Sequence, residues 1–519
     1  MSSSTVALRV AICLGLTAAG PLRAQQDEPL SAIDWLSDSV RRPPAAAVPP
    51  PPRADEAPVA DSATSPAVTV TPLDSGSPDP VGLLSAQMTG LPRSLWSHSP
   101  EATLVALVQA QRVETLPAAQ DLLATLMLAE ADAPLDAGAD GALFLARIDK
   151  LLDMGAIDPA QALLEEAGPV TPELYRRWFD VSLLTGTEDT ACDALRDQPG
   201  LAPTYPARVF CLARGGDWTA AALTLNTARA LEEVSQAEDA LLSRFLDPDL
   251  FADEPVLPPP DRVSPLVFRM REAIGEGLAT APLPRAFAHA DLRSTAPWRA
   301  QIEAAERLAR SGSAPENMLL GLYTRQVPAA SGGVWDRAAA IQRFDEAMTQ
   351  GGADTIADTL PDAWAAMRRA GTEVPFARLY GARLAQAGLD GAPAGIAVRL
   401  AMLSPDVARL APEIEPRNPQ ERLWRAVAIG DLEGIEPASP EARAVVDAFG
   451  GAEAPAPVAA LLDQDRLGEA LLRTTALIQQ GMGGETSAMR DAIAVLIAAD
   501  MTETARAVAL QFLILGEDE

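Results

Sequence analysis

From Pro100 onward, apolar residues recur at spacings of three and four, as in ATLVALVQAQRV (102–113) and AQDLLATLMLAEA (119–131). That period constrains the fold more than any other feature, because it places one apolar stripe on each helix and requires a partner for it. Sustained period-two alternation is absent, so strands are expected only as a stray pair. Gly, Pro and Asp-Pro interrupt the pattern at short intervals, which predicts hairpins of short helices rather than long bundles. Hydrophobic residues make up 48% of the 519-residue chain but aromatics only 4%, so Ala, Leu, Val and Ile must build the core. The fold class expected is all-α, a helix-hairpin solenoid array.

The hairpins repeat. LLDMGAIDPAQALLEEAG (151–168), LLTGTEDTACDALRDQPG (183–200) and LARGGDWTAAALTLNTAR (212–229) each join an apolar helix end, a Gly- or Asp-containing turn and a helix carrying an Ala-Leu pair. The plan returns at LLDQDRLGEALLRTTAL (461–477) and LIAADMTETARAVALQF (496–512), where Leu461 to Leu496 and Ala470 to Ala505 are both 35 residues apart. A helical hairpin repeating near 34 residues is the period of tetratricopeptide arrays. The turn and Ala-rich helix of GGDWTAAALTLNTA (215–228) resemble the second helix of that family's hairpin. The family's Trp, Tyr and closing Pro positions are met only in part. The stretch WRAQIEAAERLARSGSAPENMLLGLYTRQVPAASGGVWDRAAAIQRFDEA (298–347) is similar to exported helical proteins of Gram-negative bacteria. That resemblance implies no activity. Some members bear an antifreeze-related label, but ice binding needs Thr in regular array, and Thr here is scattered as in TVTP and RTTAL.

The N-terminus, MSSSTVALRVAICLGLTAAGPLRAQQ, has Arg9, an apolar run and small residues before Gln25, the layout of a secretory signal over 1–24 cut after Ala24. The run is too short to span a bilayer, which takes about 20 apolar residues. The expectation is a periplasmic or secreted protein without a transmembrane segment. Residues 25–99 contain RRPPAAAVPPPPRADEAPVADSATSPAVTVTPLDSGSPDP and read as a disordered Pro-rich tether. It carries two apolar motifs, SAIDWLSDSV and VGLLSAQMTGLPRSLW. Ile33, Trp35, Leu36 and Trp96 are therefore candidate partner-docking residues, or else fold back on the protein's own surface. The Pro-rich FADEPVLPPPDR (251–262) and the weaker break near residue 415 divide the remainder into blocks at 100–250, 263–415 and 416–519. One curved, interrupted solenoid accounts for them equally well.

Chemistry is sparse. The two histidines, His98 and His289, lack a second ligand at helical spacing. Catalytic and nucleotide motifs such as H-E-x-x-H, G-x-S-x-G, Walker A and C-x-x-C are missing. Asp247, Asp249, Asp253 and Glu254 are crowded, but the spacing fails a calcium loop. GMGGETS (481–487) reads as a turn. No catalytic residue, metal or cofactor is assigned. A formal charge of −30, with Lys150 the single lysine, argues against nucleic acid and for a basic or apolar protein or peptide partner. Cys192 and Cys211 have no companion ligands, and Cys192 sits among acids. They fall mid-way along successive antiparallel helices, so a disulfide between them is expected. The functional expectation is a non-catalytic, protein-binding scaffold of the cell envelope. Its competitor is an envelope or peptidoglycan enzyme with a site in the central block around 285–345.

Overall fold

A computed structural model describes residues 76–516. Secondary structure there is helical, with one isolated bridge between Leu84 and Ala129. We label helices of seven residues or more. The first hairpins are α1 (Glu101–Ala110), α2 (Pro117–Leu128), α3 (Ala142–Met154), α4 (Ile157–Ala167), α5 (Pro172–Thr185), α6 (Glu188–Asp197), α7 (Tyr205–Arg214), α8 (Trp218–Ala230), α9 (Gln236–Leu246) and α10 (Pro265–Ala273). The middle comprises α11 (Trp298–Ala309), α12 (Glu316–Thr324), α13 (Val334–Gln350), α14 (Ala353–Ala370), α15 (Glu373–Ala385) and α16 (Gly391–Met402). The last group is α17 (Pro419–Ile429), α18 (Pro440–Phe449), α19 (Ala456–Leu462), α20 (Leu467–Met482), α21 (Thr486–Ala498) and α22 (Thr502–Leu515).

Local chemistry sets the boundaries. Thr171, Thr204, Asp217, Ser264, Asn418 and Ser439 each accept a first-turn amide with their side chains, satisfying a donor the helix leaves orphaned. Ser235 and Glu238 form a capping box at α9. Gly155 ends α3 at φ 81°, and a Cβ there would meet Leu308 Cδ2 at 2.7 Å. Glycine is thus required both for the left-handed turn and for close packing. Pro361 lies inside α14 rather than at a helix end.

Most successive helices pack on each other, as α3 to α10 and α11 to α16 do, while α18 packs against α21, giving the all-α array that the period demands. Two features depart from a simple division into blocks. One contiguous apolar core runs from Leu91 to Ile514, through both Pro-rich breaks. The 251–262 segment is itself tied down, since the carbonyls of Pro255, Leu257 and Pro258 accept from Arg244 and Arg271. The array also closes. Helices α20 and α22 pack against α1 and α2, so its last hairpins meet its first.

Residues 76–99, read in the sequence as tether, belong to this body. Leu91, Leu95 and Trp96 are buried, and the Trp96 ring lies against Gly468 of α20. Trp96 is therefore a closure residue packed in cis, not a free docking anchor. The physical reason is that α1 and α2 leave apolar surface that this segment covers. Ile33, Trp35 and Leu36, the leader at 1–24 and the tether to residue 75 lie outside the described residues.

Candidate functional site

The cysteines stand where helical spacing puts them, on α6 and α7, and form a disulfide with Cα atoms 5.0 Å apart. Both are buried. Beside them an aromatic ladder runs along the array. Tyr175 stacks on Phe179 at 6.1 Å, Phe179 meets Phe210 at 6.3 Å, Phe210 stacks on Phe245 at 5.5 Å, and Phe245 contacts Trp218 at 6.4 Å. Tyr175 donates its hydroxyl proton to the Ala191 carbonyl at 2.7 Å, and burial pushes its pKa well up. The ladder starts in the core and ends at a tryptophan that is 51% exposed.

That end is a tip, because the array turns back there. Helix α9 packs against α7, α8 and α10, and α10 returns to α5, leaving the outer side of α8 without a following hairpin. On α8 only Ala221, Leu225 and Ala228 are buried, whereas Trp218 and Leu223 are exposed. The outer side of α8 is mixed: Trp218 and Leu223 share it with exposed Thr219, Asn226, Thr227 and Arg229. The loop after α9 adds Leu250 and Val256, exposed by 71% and 73%. Antiparallel packing of α8 and α9 brings the start of α8 beside this loop, as the Trp218–Phe245 contact records.

The same two segments expose acids. Asp217, Asp247, Asp249, Asp253 and Glu254 are all exposed. The crowding of Asp247, Asp249, Asp253 and Glu254 fails a calcium loop by spacing, and no group of three or more metal-type ligands forms among the described residues. The platform is held rigidly. Arg229 bridges α8 to α9 through Asp239 at 2.5 Å and Ser243 at 2.6 Å. Arg244 reaches Glu276 at 2.8 Å, Glu254 at 3.2 Å and the Pro255 carbonyl at 2.8 Å, fixing the loop. The tip thus exposes Trp218, Leu223, Leu250 and Val256 together with several acids, and the disulfide joins the two helices that precede it.

Other candidates are spent on structure. His289 Nε2 lies 2.7 Å from the Gly155 carbonyl, and burial lowers its pKa, so the ring is neutral and serves as a donor there. His98 Nδ1 lies 3.2 Å from the Asp465 carbonyl. In the central block Glu306 accepts from Tyr323 at 2.7 Å and from both arms of Arg337 at 2.7 and 2.6 Å. Those charges satisfy one another under the surface. The depression nearest them, about 430 Å³, is open and lined by Arg325, Gln342, Glu346 and their neighbours. GMGGETS runs from the end of α20 through the short turn at 483–485 into the start of α21.

The tip was missed by sequence reasoning. Its one local signal is a tryptophan placed directly after the cap Asp217, at a position whose exposure depends on where the array stops. No family model, curated protein or solved structure matches this chain. Among the described residues, no helix is long and apolar enough to cross a membrane.

Proposed function

We propose that this protein is an exported, non-catalytic scaffold of the cell envelope that binds a protein or peptide through the α8–α9 tip. In this reading the hairpins are a degenerate tetratricopeptide-like array of the exported Gram-negative kind. The leader at 1–24 delivers the protein to the periplasm or beyond, where Cys192 and Cys211 oxidise. The observation that carries the proposal is the half-exposed Trp218 at the end of the aromatic ladder, with Leu223 exposed on the same helix and Leu250, Val256 and several acids exposed in the loop after α9. Exposed aromatics on a preorganised platform are typical anchors, since they bury large area at little entropic cost. The acids select an apolar segment with basic flanks.

The test is a photo-crosslinking amino acid at position 218, with a second version at position 327 as control. Val327 is also strongly exposed but lies far along the chain. Irradiated cells should yield a discrete adduct with another protein from position 218 and none from position 327. Adducts equally distributed between the two positions, or none beyond the chain itself, would reject the scaffold reading.

A further inference from the structure

We propose that the loop between α12 and α13 is a processing site, cut after Ala329 or Ala330 by an endoprotease that takes small apolar side chains. The proposal concerns another part of the protein than the α8–α9 tip and stands without it. A protease draws several residues of its substrate into an extended strand, so it selects exposed chain with few hydrogen bonds to give up. The segment QVPAASGG (326–333) is of that kind. Gln326, Val327 and every residue from Ala329 to Gly333 are exposed, Val327 by 84%. Among the described residues, no backbone amide from Gln326 to Ser331 donates a hydrogen bond. The loop's hydrogen bonds lie at its ends. There the Gln326 carbonyl accepts from Gln342 at 2.6 Å, and the Gly332 amide donates to Asp336 at 2.9 Å.

Three other connections are tied down along their length. The Pro-rich 251–262 segment is fixed by Arg244 and Arg271 through the carbonyls of Pro255, Leu257 and Pro258. In 131–141 the amides of Asp132, Leu135 and Gly138 donate to the Arg93 and Ser97 carbonyls and to Glu101. In 275–284 Thr280 is buried, and its carbonyl accepts from Arg307 at 3.0 Å. The residues of the 326–333 loop then set the class of enzyme. Arg325 at its edge is held by Gln301 at 2.6 Å. Pro328 bars the bond after Val327, which leaves Ala329 and Ala330 as the residues before a scissile bond. The step is hydrolysis: water adds across the peptide C–N bond, leaving a carboxylate on the alanine and an ammonium on the residue that follows.

Closure decides what the cut does. The piece ending at Ala330 carries α1–α12, and the piece that follows carries α13–α22. In an open array the two would share one interface, where α12 meets α13. Here they share a second, because α20 and α22 pack on α1 and α2. At the first interface Arg337 donates to Glu306 at 2.7 and 2.6 Å, and Gln342 donates to the Tyr323 carbonyl at 2.7 Å. The Trp298 and Trp335 rings lie 5.0 Å apart beside them. At the second, Gln111 donates to the Leu472 carbonyl at 2.9 Å. The pieces are thus gripped at both ends, and the cut molecule stays closed. The Cys192–Cys211 bridge lies within the first piece, so the grip is noncovalent.

Elastase is the probe, used on the intact mature protein, with cuts mapped by mass spectrometry over residues 76–516. The first cut there should fall after Ala329 or Ala330. Ala329→Asp with Ala330→Asp should slow it about tenfold or more, since a carboxylate does not enter an apolar pocket. Both positions are exposed, so the thermal midpoint should not move. Cut protein should elute with uncut protein under native conditions and part into two pieces in denaturant. Its midpoint should rise with protein concentration, because folding has become bimolecular. Protein isolated from the cells that make it should include chains beginning at Ala330 or Ser331. A protease engages the loop only in passing, which leaves position 327 usable as a crosslinking control.

A first cut in 251–262 or in any other connection of the body would overturn the site. So would a cut that the double substitution leaves equally fast. Pieces that separate under native conditions would overturn the closed product. Cellular protein with no chain beginning at Ala330 or Ser331 would overturn processing, whatever elastase does. None of these outcomes bears on the tip, whose own test is the adduct at position 218.

Discussion

Lys150 shows how a single side chain can be committed to closing the fold. Its ammonium donates to the Gln111 carbonyl at 2.6 Å, the Gln109 carbonyl at 3.4 Å and Asp153 at 2.8 Å. Three donors thus meet three acceptors, two of them carbonyls at the end of α1 that no helical amide can reach. Arg147, one turn earlier, does the same for α2 by donating to the carbonyls of Met127, Ala129 and Asp79. Burial lowers its pKa to about 10, which keeps it charged at neutral pH. Because Lys150 is the only lysine and is 1% exposed, an amine-acylating reagent should leave it unmodified in the native protein. Modification should begin only with unfolding, and mass spectrometry of the 150 peptide at rising denaturant would measure it. Full labelling under native conditions would refute the burial. Asp180 is a further buried ionisable group, with its pKa pushed up to about 7 because desolvation outweighs the pull of Arg176 and Arg177. The folded state therefore holds a proton that the unfolded state releases near pH 3.8, so stability falls as pH rises between those values. The full span corresponds to about 4 kcal/mol. Asp180→Asn should match the native protein at low pH and exceed its denaturation midpoint at pH 8. A midpoint difference that is the same at both pH values would count against the assignment. The lone lysine stands out in the sequence, but its acceptors lie 39 and 41 residues away, so its role depended on the fold.

At the scale of elements, helical period, the Gly and Pro breaks and the cysteine register were all readable from residue order, because each is local. The disulfide followed from Cys192 and Cys211 lying mid-way along adjacent antiparallel helices, and α6 and α7 are those helices. By loop entropy it should stabilise by about 3 kcal/mol. Reduction, or Cys192→Ser with Cys211→Ser, should lower the unfolding free energy by that amount. It should also raise amide exchange in α6 and α7 more than in α20 and α21. Uniform loss of protection across the molecule would show that the staple acts globally. Two features of the elements were not readable. The exposure of Trp218 depends on which side of α8 the helices α7 and α9 cover, and nothing within residues 218–230 encodes that. The segment around Trp96 resembles a tether in composition, with Pro, Ser and Gly nearby, yet its few apolar residues find a waiting groove. Composition averages over a window, whereas burial is decided residue by residue.

Closure belongs to the whole molecule. Gly468 lies where α20 passes the 91–99 segment, donating its amide to the Leu95 carbonyl at 3.1 Å. A Cβ there would stand 2.5 Å from the Trp96 ring and 2.6 Å from the Leu95 oxygen. The second contact is with backbone, so a rotamer change of Trp96 cannot relieve it. Nearby, the Gln111 amide donates to the Leu472 carbonyl at 2.9 Å, and the Ala118 amide donates to Gln511 at 2.8 Å, so several buried polar pairs share the seam. Repeat arrays with free ends unfold piecewise, because each hairpin touches only its neighbours. An array whose ends are bonded together should lose that independence. Gly468→Val should therefore weaken α1, α2 and α20–α22 together, by an amount on the order of 2–4 kcal/mol typical of overpacking plus broken buried contacts. The scattering radius should rise as the ends part. Gly321→Ala is the control, since a Cβ at that helical position meets nothing within 4 Å, and it should be neutral or slightly stabilising. Hydrogen exchange read helix by helix distinguishes the outcomes. Protection lost on α20 alone would mean that the ends touch without coupling, whereas matched losses on α1 and α20, separated by more than 300 residues, would make the array one cooperative unit.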